Sequence, residues 1–478
     1  MTPAPLWTDV LVWLLVAVSA AYAWYASGRE HLRAPWRRVA RSAIGMSAAV
    51  VLSVYLCIGL LDSLHYRRAL DQPAADGSVV YSAEVRSALD ALLETLRTRT
   101  EKTYSAPLAT RAYAKETIES GGRIYRDYPR LVYGGAHLKD EGRWASDVAT
   151  RAAVGALIGI AVWIVLAAAF CGVYGAATGS GFAPACRAIA AGHTNVRWRA
   201  VLATLALILL IAGPVASLAA EYHVLGTDKV GQDVLFLSLK SIRTALVIGT
   251  LTTLVTLPLA VLLGIAAGYF RGWIDDAIQY VYTTLNSIPD VLLIAAAVLM
   301  TLVFIDSHPD LFPTGAYRAD FRLLILCLIL GVTNWTGLAR LLRGEALKLR
   351  ELEYVQAAQA FGVRSPRIIT RHILPNVMHI VLISVVMDFS KLVLAEAVLS
   401  YIGVGVDPSM TSFGMMINAA RLEMAREPMV WWSLASAFVF MFVLVLSANL
   451  FADVVRDAFD PRLHFARAGA RALAGARA

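Results

Sequence analysis

Nothing limits the folding of this chain more than its long uninterrupted apolar runs, of which "LVWLLVAVSAAYAWYA" (residues 11–26) is the first. A run of about 20 apolar residues is one helical bilayer crossing, because in lipid every backbone polar group has to be bonded within its own segment. Nine such crossings start near residues 7, 40, 151, 200, 241, 286, 321, 377 and 430. Composition agrees: 58% hydrophobic and 16% charged residues, with a mean hydropathy of +0.61, is too apolar for a soluble globular chain of this size. The predicted fold class is therefore an all-α polytopic membrane protein. The run from Trp7 to Ala26 has neither a basic leader nor an Ala-x-Ala site, so it is expected to be a retained span rather than a cleaved signal.

Short loops set the expected orientation. Residues 28–41 carry Arg29, Arg33, Arg37, Arg38 and Arg41 against Glu30 alone, which places them on the cytoplasmic side. The N-terminus is then outside. Counting crossings puts 62–150 outside, 173–199 with Arg187, Arg197 and Arg199 inside, 221–240 outside, and both the loop 339–376 and the Arg462-bearing tail inside. The basic loops thus agree on one parity, which accounts for much of the net charge of +8. No basic patch coincides with a nucleic-acid-reading motif, so no nucleic-acid partner is expected. Cys57, Cys171, Cys186 and Cys327 lack CxxC spacing and read as packing residues, not as a disulfide framework or a zinc site.

The polar stretch 62–150 reads as a separate external domain. Within it Val85, Leu89, Leu92, Leu93 and Leu96 recur at helical spacing after Ser82, which predicts an amphipathic helix capped by that serine. Its apolar face requires a cover, either the chain's own spans or an external partner.

A different problem is posed by "EYVQAAQAFGVRSPRIITRHILPNV" (residues 353–377), which interrupts two spans with three arginines. Glu353 to Phe361 is rich in helix formers, and Gly362 provides a left-handed stop. Ser365 and Pro366 then form an N-cap and first-turn pair for a second short helix, which Pro375 should end as the next span begins. Helices this short need packing to persist, and Ala357, Ala358 and Ala360 keep the first one slim. Periodicity alone leaves a connector lying on the membrane surface as an alternative.

The spacing Gln356-Ala357-Ala358, three residues, Gly362, nine residues, His372-Ile373-Leu374-Pro375 resembles the EAA loop of ABC importer permeases. That pattern reads Glu-Ala-Ala, three residues, glycine, nine residues, isoleucine, any residue, Leu-Pro; here Gln356 replaces the glutamate and His372 the isoleucine. The resemblance implies that the loop forms coupling helices held in a cleft of a separate ATPase subunit. Glutamine keeps the side-chain length and hydrogen-bonding capacity but not an ion pair.

A second stretch, "HVLGTDKVGQDV" (residues 223–234), resembles the external HxLGTDxxGRDV signature of the dipeptide and oligopeptide importer permeases, C-type subunit, within the binding-protein-dependent transport inner-membrane components. Gln232 takes the place of the usual arginine. Gly226 and Gly231 permit tight turns, and Asp228 and Asp233, beside Thr227, accept backbone hydrogen bonds, which favours a structural role over direct substrate contact. "GYFRGWID", "SIPDVLL", "LAEAVLSYIGVG" and Asp460-Pro461-Arg462 continue the resemblance in order.

The resulting division is two N-terminal spans (1–61), an external domain (62–150), a third span with linker (151–194), a permease core (195–465) containing the loop 339–376, and a cytoplasmic tail (466–478). The family's six spans correspond to the last six. The resemblance further implies a bacterial inner-membrane location, a B-type permease partner, two ATPase subunits, an external solute-binding protein and no cofactor. Its substrates include peptides, metals and opines.

Asp388, Lys391 and Glu396 lie within one span, where each charge costs about 2.5–3.5 kcal/mol near the bilayer centre, so they must avoid lipid. Lys391 stands where the family pattern leads one to expect a small residue. They read either as a polar lining of a path or as a paired structural cluster. An intramembrane enzyme is disfavoured, since the chain has neither HExxH nor GxSxG. No G-x-x-x-x-G-K-[ST] occurs either, so ATP hydrolysis has to come from a partner. An ion-driven secondary transporter is the alternative function, although no internal repeat accompanies it.

Overall fold

The computed structural model of the chain describes residues 2–69, 81–120, 123–312 and 314–459. The segment Asp460-Pro461-Arg462 and the expected cytoplasmic tail lie outside the described residues. Among those residues nine helices are long and apolar enough to cross a membrane: Trp7–Ser27, Ala43–Asp62, Glu141–Thr178, Trp198–Ala219, Val234–Phe270, Asp290–Ser307, Gly315–Arg350, Ser365–Ile402 and Trp432–Phe459. They are the first to ninth spans below, and they agree with the apolar runs of the sequence. The protein is a multi-pass α-helical membrane protein.

The fifth and seventh spans form the centre, with Ile248, Leu323, Leu326 and Leu330 at 1% exposure or less. The third span lies along the fourth through Gly155 and Gly159: a Cβ at position 155 would sit 2.5 Å from the carbonyl oxygen of Gly213. Lipid provides no hydrophobic drive between helices, so it is close backbone approach at small residues that holds this pair. The second span packs on the fifth and ninth, so this N-terminal span is built into the bundle.

Among the described residues, segments between spans gather in two groups. In one, β1 (Thr2–Pro3), β2 (His65–Ala69) and β3 (Tyr81–Ser87) form a three-stranded antiparallel sheet, which joins the N-terminus to the 62–143 region. A second hairpin pairs β4 (Glu116–Ser120) with β5 (Arg123–Asp127). The other group holds the helix Glu30–Arg41, whose Arg38 donates to the carbonyl of Ala458 at 3.0 Å, and Arg197, whose N–H donates to the carbonyl of Ala40 at 2.9 Å.

One sequence expectation is corrected in the 62–143 region. Ser82 and Val85 lie in a strand, not in an amphipathic helix, because Val85 pairs with Arg67 across β2–β3. Ser87 is the cap that forms, accepting from the Asp90 N–H at 3.1 Å, and it starts the short helix Ala88–Leu92. Leu89 is buried there, whereas Leu92 is exposed. Long-range strand pairing overrides a local helical period, as it often does where the partner strand also closes a backbone ladder.

Buried charges tie the N-terminal spans and the 62–143 region to the fifth span. Arg243 of the fifth span meets Asp9 of the first at 2.6 Å, and Asp9 also meets His65 of β2 at 2.6 Å. Lys240 bridges Asp62 at 2.8 Å and Asp90 at 3.0 Å.

Candidate functional site

On the side away from the sheet, the seventh span descends to Arg350 and is fixed by a bidentate pair, Arg343 Nε to Asp275 Oδ1 at 2.6 Å and Nη2 to Oδ2 at 2.7 Å. The helix Glu353–Ala360 follows. One face of it is anchored by Val355, fully buried together with Ile368, Ile373 and Val377 of the following helix against Tyr269, Leu342 and Ala346. The other face is open: Gln356 and Ala357 are exposed, Tyr354 is 45% exposed, and Phe361 is 87% exposed at the tip. Ala358 turns partly inward onto the core instead.

Gly362 has φ +70°, and the N–H of Val363 donates to the carbonyl of Ala358, the six-to-one bond that closes a helix end. A Cβ at Gly362 would meet nothing within 4 Å. The left-handed backbone, not crowding, is the reason for glycine here.

Beyond it the structure departs from the expected arrangement in two ways. Arg364 is the N-cap, so the helix begins at Ser365, with Pro366 in its first turn. Pro375 does not stop this helix: residues Ile369–Ile373 form a π turn that leads directly into Leu374–Ile402. The wider turn absorbs the donor that proline lacks and the clash of its ring, and the chain stays helical. The second helix of the elbow, from Ser365, and the span are therefore one continuous rod, to which the first helix is joined through the turn at Gly362. Within it His372 is half-buried beside Tyr354 (ring centroids 5.9 Å), Leu374 packs on the core and Pro375 is exposed.

Between the fifth, seventh and eighth spans lies a cleft of 440 Å³, with Thr253, Asn286, Asp290, Asn334, Asp388 and Lys391 in its wall. Thr336 Oγ1 donates to Asn286 Oδ1 at 3.1 Å, and Lys391 Nζ lies 3.2 Å from Asp388 Oδ1. Glu396 is not part of this group. It is 1% exposed and accepts from Ser400 Oγ at 2.6 Å and Ser412 Oγ at 2.8 Å. Ser412 in turn caps the helix Phe413–Glu423, so this carboxylate holds that helix in place.

The loop 223–234 is clamped by residues 101–105 and by Trp432. Asp228 Oδ1 accepts from the N–H groups of Val230 at 3.0 Å and Gln232 at 2.8 Å, and Asp233 Oδ1 caps the fifth span through the N–H of Leu235 at 2.8 Å. Thr227 N–H donates to the Ser105 carbonyl at 3.1 Å, while Trp432 Nε1 donates to the Thr227 carbonyl at 2.9 Å. Gly226 and Gly231 both have positive φ, and a Cβ at Gly231 would collide with the backbone of Glu101. His223 stands between Asp233 at 2.8 Å and Glu101 at 3.5 Å. Burial opposes the charge on His223, but the two carboxylates raise it to about 9. Burial likewise pushes Glu101 up, yet His223 and the N–H groups of Val132, Tyr133 and Gly134 hold it down at about 2.

Sequence reasoning missed Phe361, the Arg343–Asp275 clamp and Glu101. Phe361 carried a readable signal, a large apolar residue next to a helix-ending glycine. The other two depend on distant partners, 68 residues apart for the clamp and from 31 to 122 residues away for Glu101, for which a single sequence holds no signal.

An apolar bundle with a polar internal cleft and an anchored elbow on one side defines a class, the membrane permease. The family model described as "Binding-protein-dependent transport system inner membrane component" matches residues 260–465, and the chain belongs to this family. It is 32% identical over 249 residues to the oligopeptide transport system permease protein OppC of Mycobacterium bovis, covering 52% of this chain and 79% of that one. The glutathione transport system permease protein GsiD of Pectobacterium atrosepticum is 32% identical, over 50% of this chain and 73% of its own. The dipeptide transport system permease protein DppC of Bacillus subtilis is 30% identical, over 50% and 69%. A solved structure of the MetNI methionine ABC transporter in inward-facing conformations aligns at 14% identity and a TM-score of 0.36, over 48% of this chain and 98% of that one. The chain is a transport permease subunit and not itself an enzyme, and membership favours this over the ion-driven alternative.

Proposed function

We propose that the chain forms one half of the membrane path of an ATP-driven importer of peptides or related small solutes. Its partners in this reading are a B-type permease subunit, two ATPase subunits and an external solute-binding protein. The observation that carries it is the elbow, fixed to its own core by Val355 and Ile368 but bare at Tyr354, Gln356, Ala357 and Phe361. A foreign chain gripping that bare face would move a rod that continues through the π turn to the cleft. From Leu374 to Lys391 that rod is about 25 Å long, enough to carry a displacement from the elbow to the cleft wall.

In this reading the sheet side is external, as the basic loops require, and the C-terminus is cytoplasmic. Residues 195–465 form the permease core, with Gly362, His372, Leu374 and Pro375 in the coupling device. The loop of Gly226, Thr227, Asp228, Gly231 and Asp233 seats the extension (1–194). The peptide class rests on relatives named for oligopeptide, dipeptide and glutathione transport.

Uptake by proteoliposomes holding the complete transporter tests the reading. Uptake should require ATP and survive collapse of the proton gradient; uptake that persists without ATPase subunits and fails with the gradient would favour an ion-driven carrier.

A further inference from the structure

The least expected side chain in the cleft wall is Lys391. It is a cation in the eighth span, its side chain is 73% exposed, and Asp388, one helical turn away at 3.2 Å, is 30% exposed. A lysine so exposed in a spanning segment cannot face lipid without a cost of several kcal/mol. It belongs to the 440 Å³ cleft, whose other polar lining groups, such as Thr253, Asn334 and Asp290, are neutral or acidic and stand among leucines such as Leu257 and Leu341. Among the described residues Lys391 is the cleft's one basic lining group.

An ion pair this open contributes only about 0–1 kcal/mol, because water screens it and two side chains are held in one geometry. It therefore exchanges partners readily. A solute carboxylate reaching Lys391 loses its own hydration but gains a charge-assisted hydrogen bond, while Asp388 is left in a wet cleft where it stays solvated. A solute without a carboxylate has nothing to offer in exchange. The eighth span is also the rod that leads from the elbow, so the same movement that drives the cycle would reposition this ammonium.

We propose that Lys391, steadied by Asp388, is a specificity residue that recognises the carboxylate of a passing solute. The permease half then favours short peptides with a free C-terminal carboxyl over their amides. The inference rests on the peptide reading above and adds a chemical selection made in the membrane, separate from capture by the binding protein.

The test uses the complete transporter in proteoliposomes, with trialanine and trialanine amide as probes at saturating binding protein. Wild type defines an acid-to-amide ratio of uptake rates. The water screening that limits the Lys391–Asp388 pair limits this contact to about 1 kcal/mol as well, so Lys391→Met should lower that ratio by up to about fivefold, with Lys391→Gln as a second neutral variant and Lys391→Arg retaining it. The double variant Asp388→Asn/Lys391→Met separates recognition from structure. Recognition predicts that the ratio stays low, and restoration of the wild-type ratio would assign the pair a structural role and overturn the proposal. An unchanged ratio in both neutral variants overturns it too. Wild-type uptake of neither probe overturns the peptide reading and this inference with it, whereas uptake of both with an unaltered ratio removes this inference alone.

Discussion

The elbow at Gly362 and the loop 223–234 share a plan and differ in what surrounds it. Both turn at a glycine of positive φ, Gly362 at +70° and Gly231 at +77°. At Gly362 there is open space to 4 Å, while at Gly231 a Cβ would run into the backbone of Glu101 from the chain's own extension. One turn is left free and the other is already occupied. The comparison teaches that a motif's chemistry sets the backbone, and that its surroundings decide whether it meets a partner or closes on itself.

Three changes probe this contrast, in order of expected effect. Gly362→Pro imposes φ near −65° where +70° is needed and removes the N–H that bonds the Gln359 carbonyl. A loss of about 3 kcal/mol at the turn corresponds to a transport defect on the order of a hundredfold. Membrane insertion should be retained, as read by fractionation and uptake assay; normal transport in assembled complexes would remove the elbow's role.

Gly231→Ala should cost more stability than Gly362→Ala. Both incur left-handed strain of about 1–2 kcal/mol, but the first adds the collision with Glu101. Thermal unfolding of the purified protein reads the difference, and limited proteolysis of the 62–143 region should show that region released only in Gly231→Ala. Equal midpoints would mean the extension does not hold the loop.

The smallest effect is set by pH. His223 has its charge-dependent stabilisation fully present below its ordinary value of 6.5 and loses it as pH rises through about 9. Glu101 contributes above 4.5 and loses its contribution as pH falls toward about 2. Between about 6.5 and 9, protease access to the 62–143 region should therefore increase progressively in the wild type. His223→Gln should flatten this dependence, and a wild-type profile identical to that variant would remove the ion-pair account.

The difference between the two regions also marks what the sequence could reveal. The nine spans were legible because an apolar run of fixed length answers to the bilayer alone, and Gly362 because a local backbone conformation selects its residue. Strand β3 was not, since Val85 owes its conformation to Arg67 across an intervening stretch with no local sign. Pro375 misled for a related reason, as the π turn that accommodates it is written in no residue type. The charges of the eighth span could be found but not sorted. Glu396 parts from Asp388 and Lys391 only through Ser400 and Ser412, whose positions depend on the packed helix Phe413–Glu423.

The central claim is that the bare face of the elbow is gripped by a separate ATPase. A photo-crosslinking residue at position 357, in membranes actively importing solute, tests it most directly. The account predicts a crosslink to an ATPase subunit whose yield changes between ATP-bound and nucleotide-free states. Efficient import with no ATPase captured from that position in either state would contradict it.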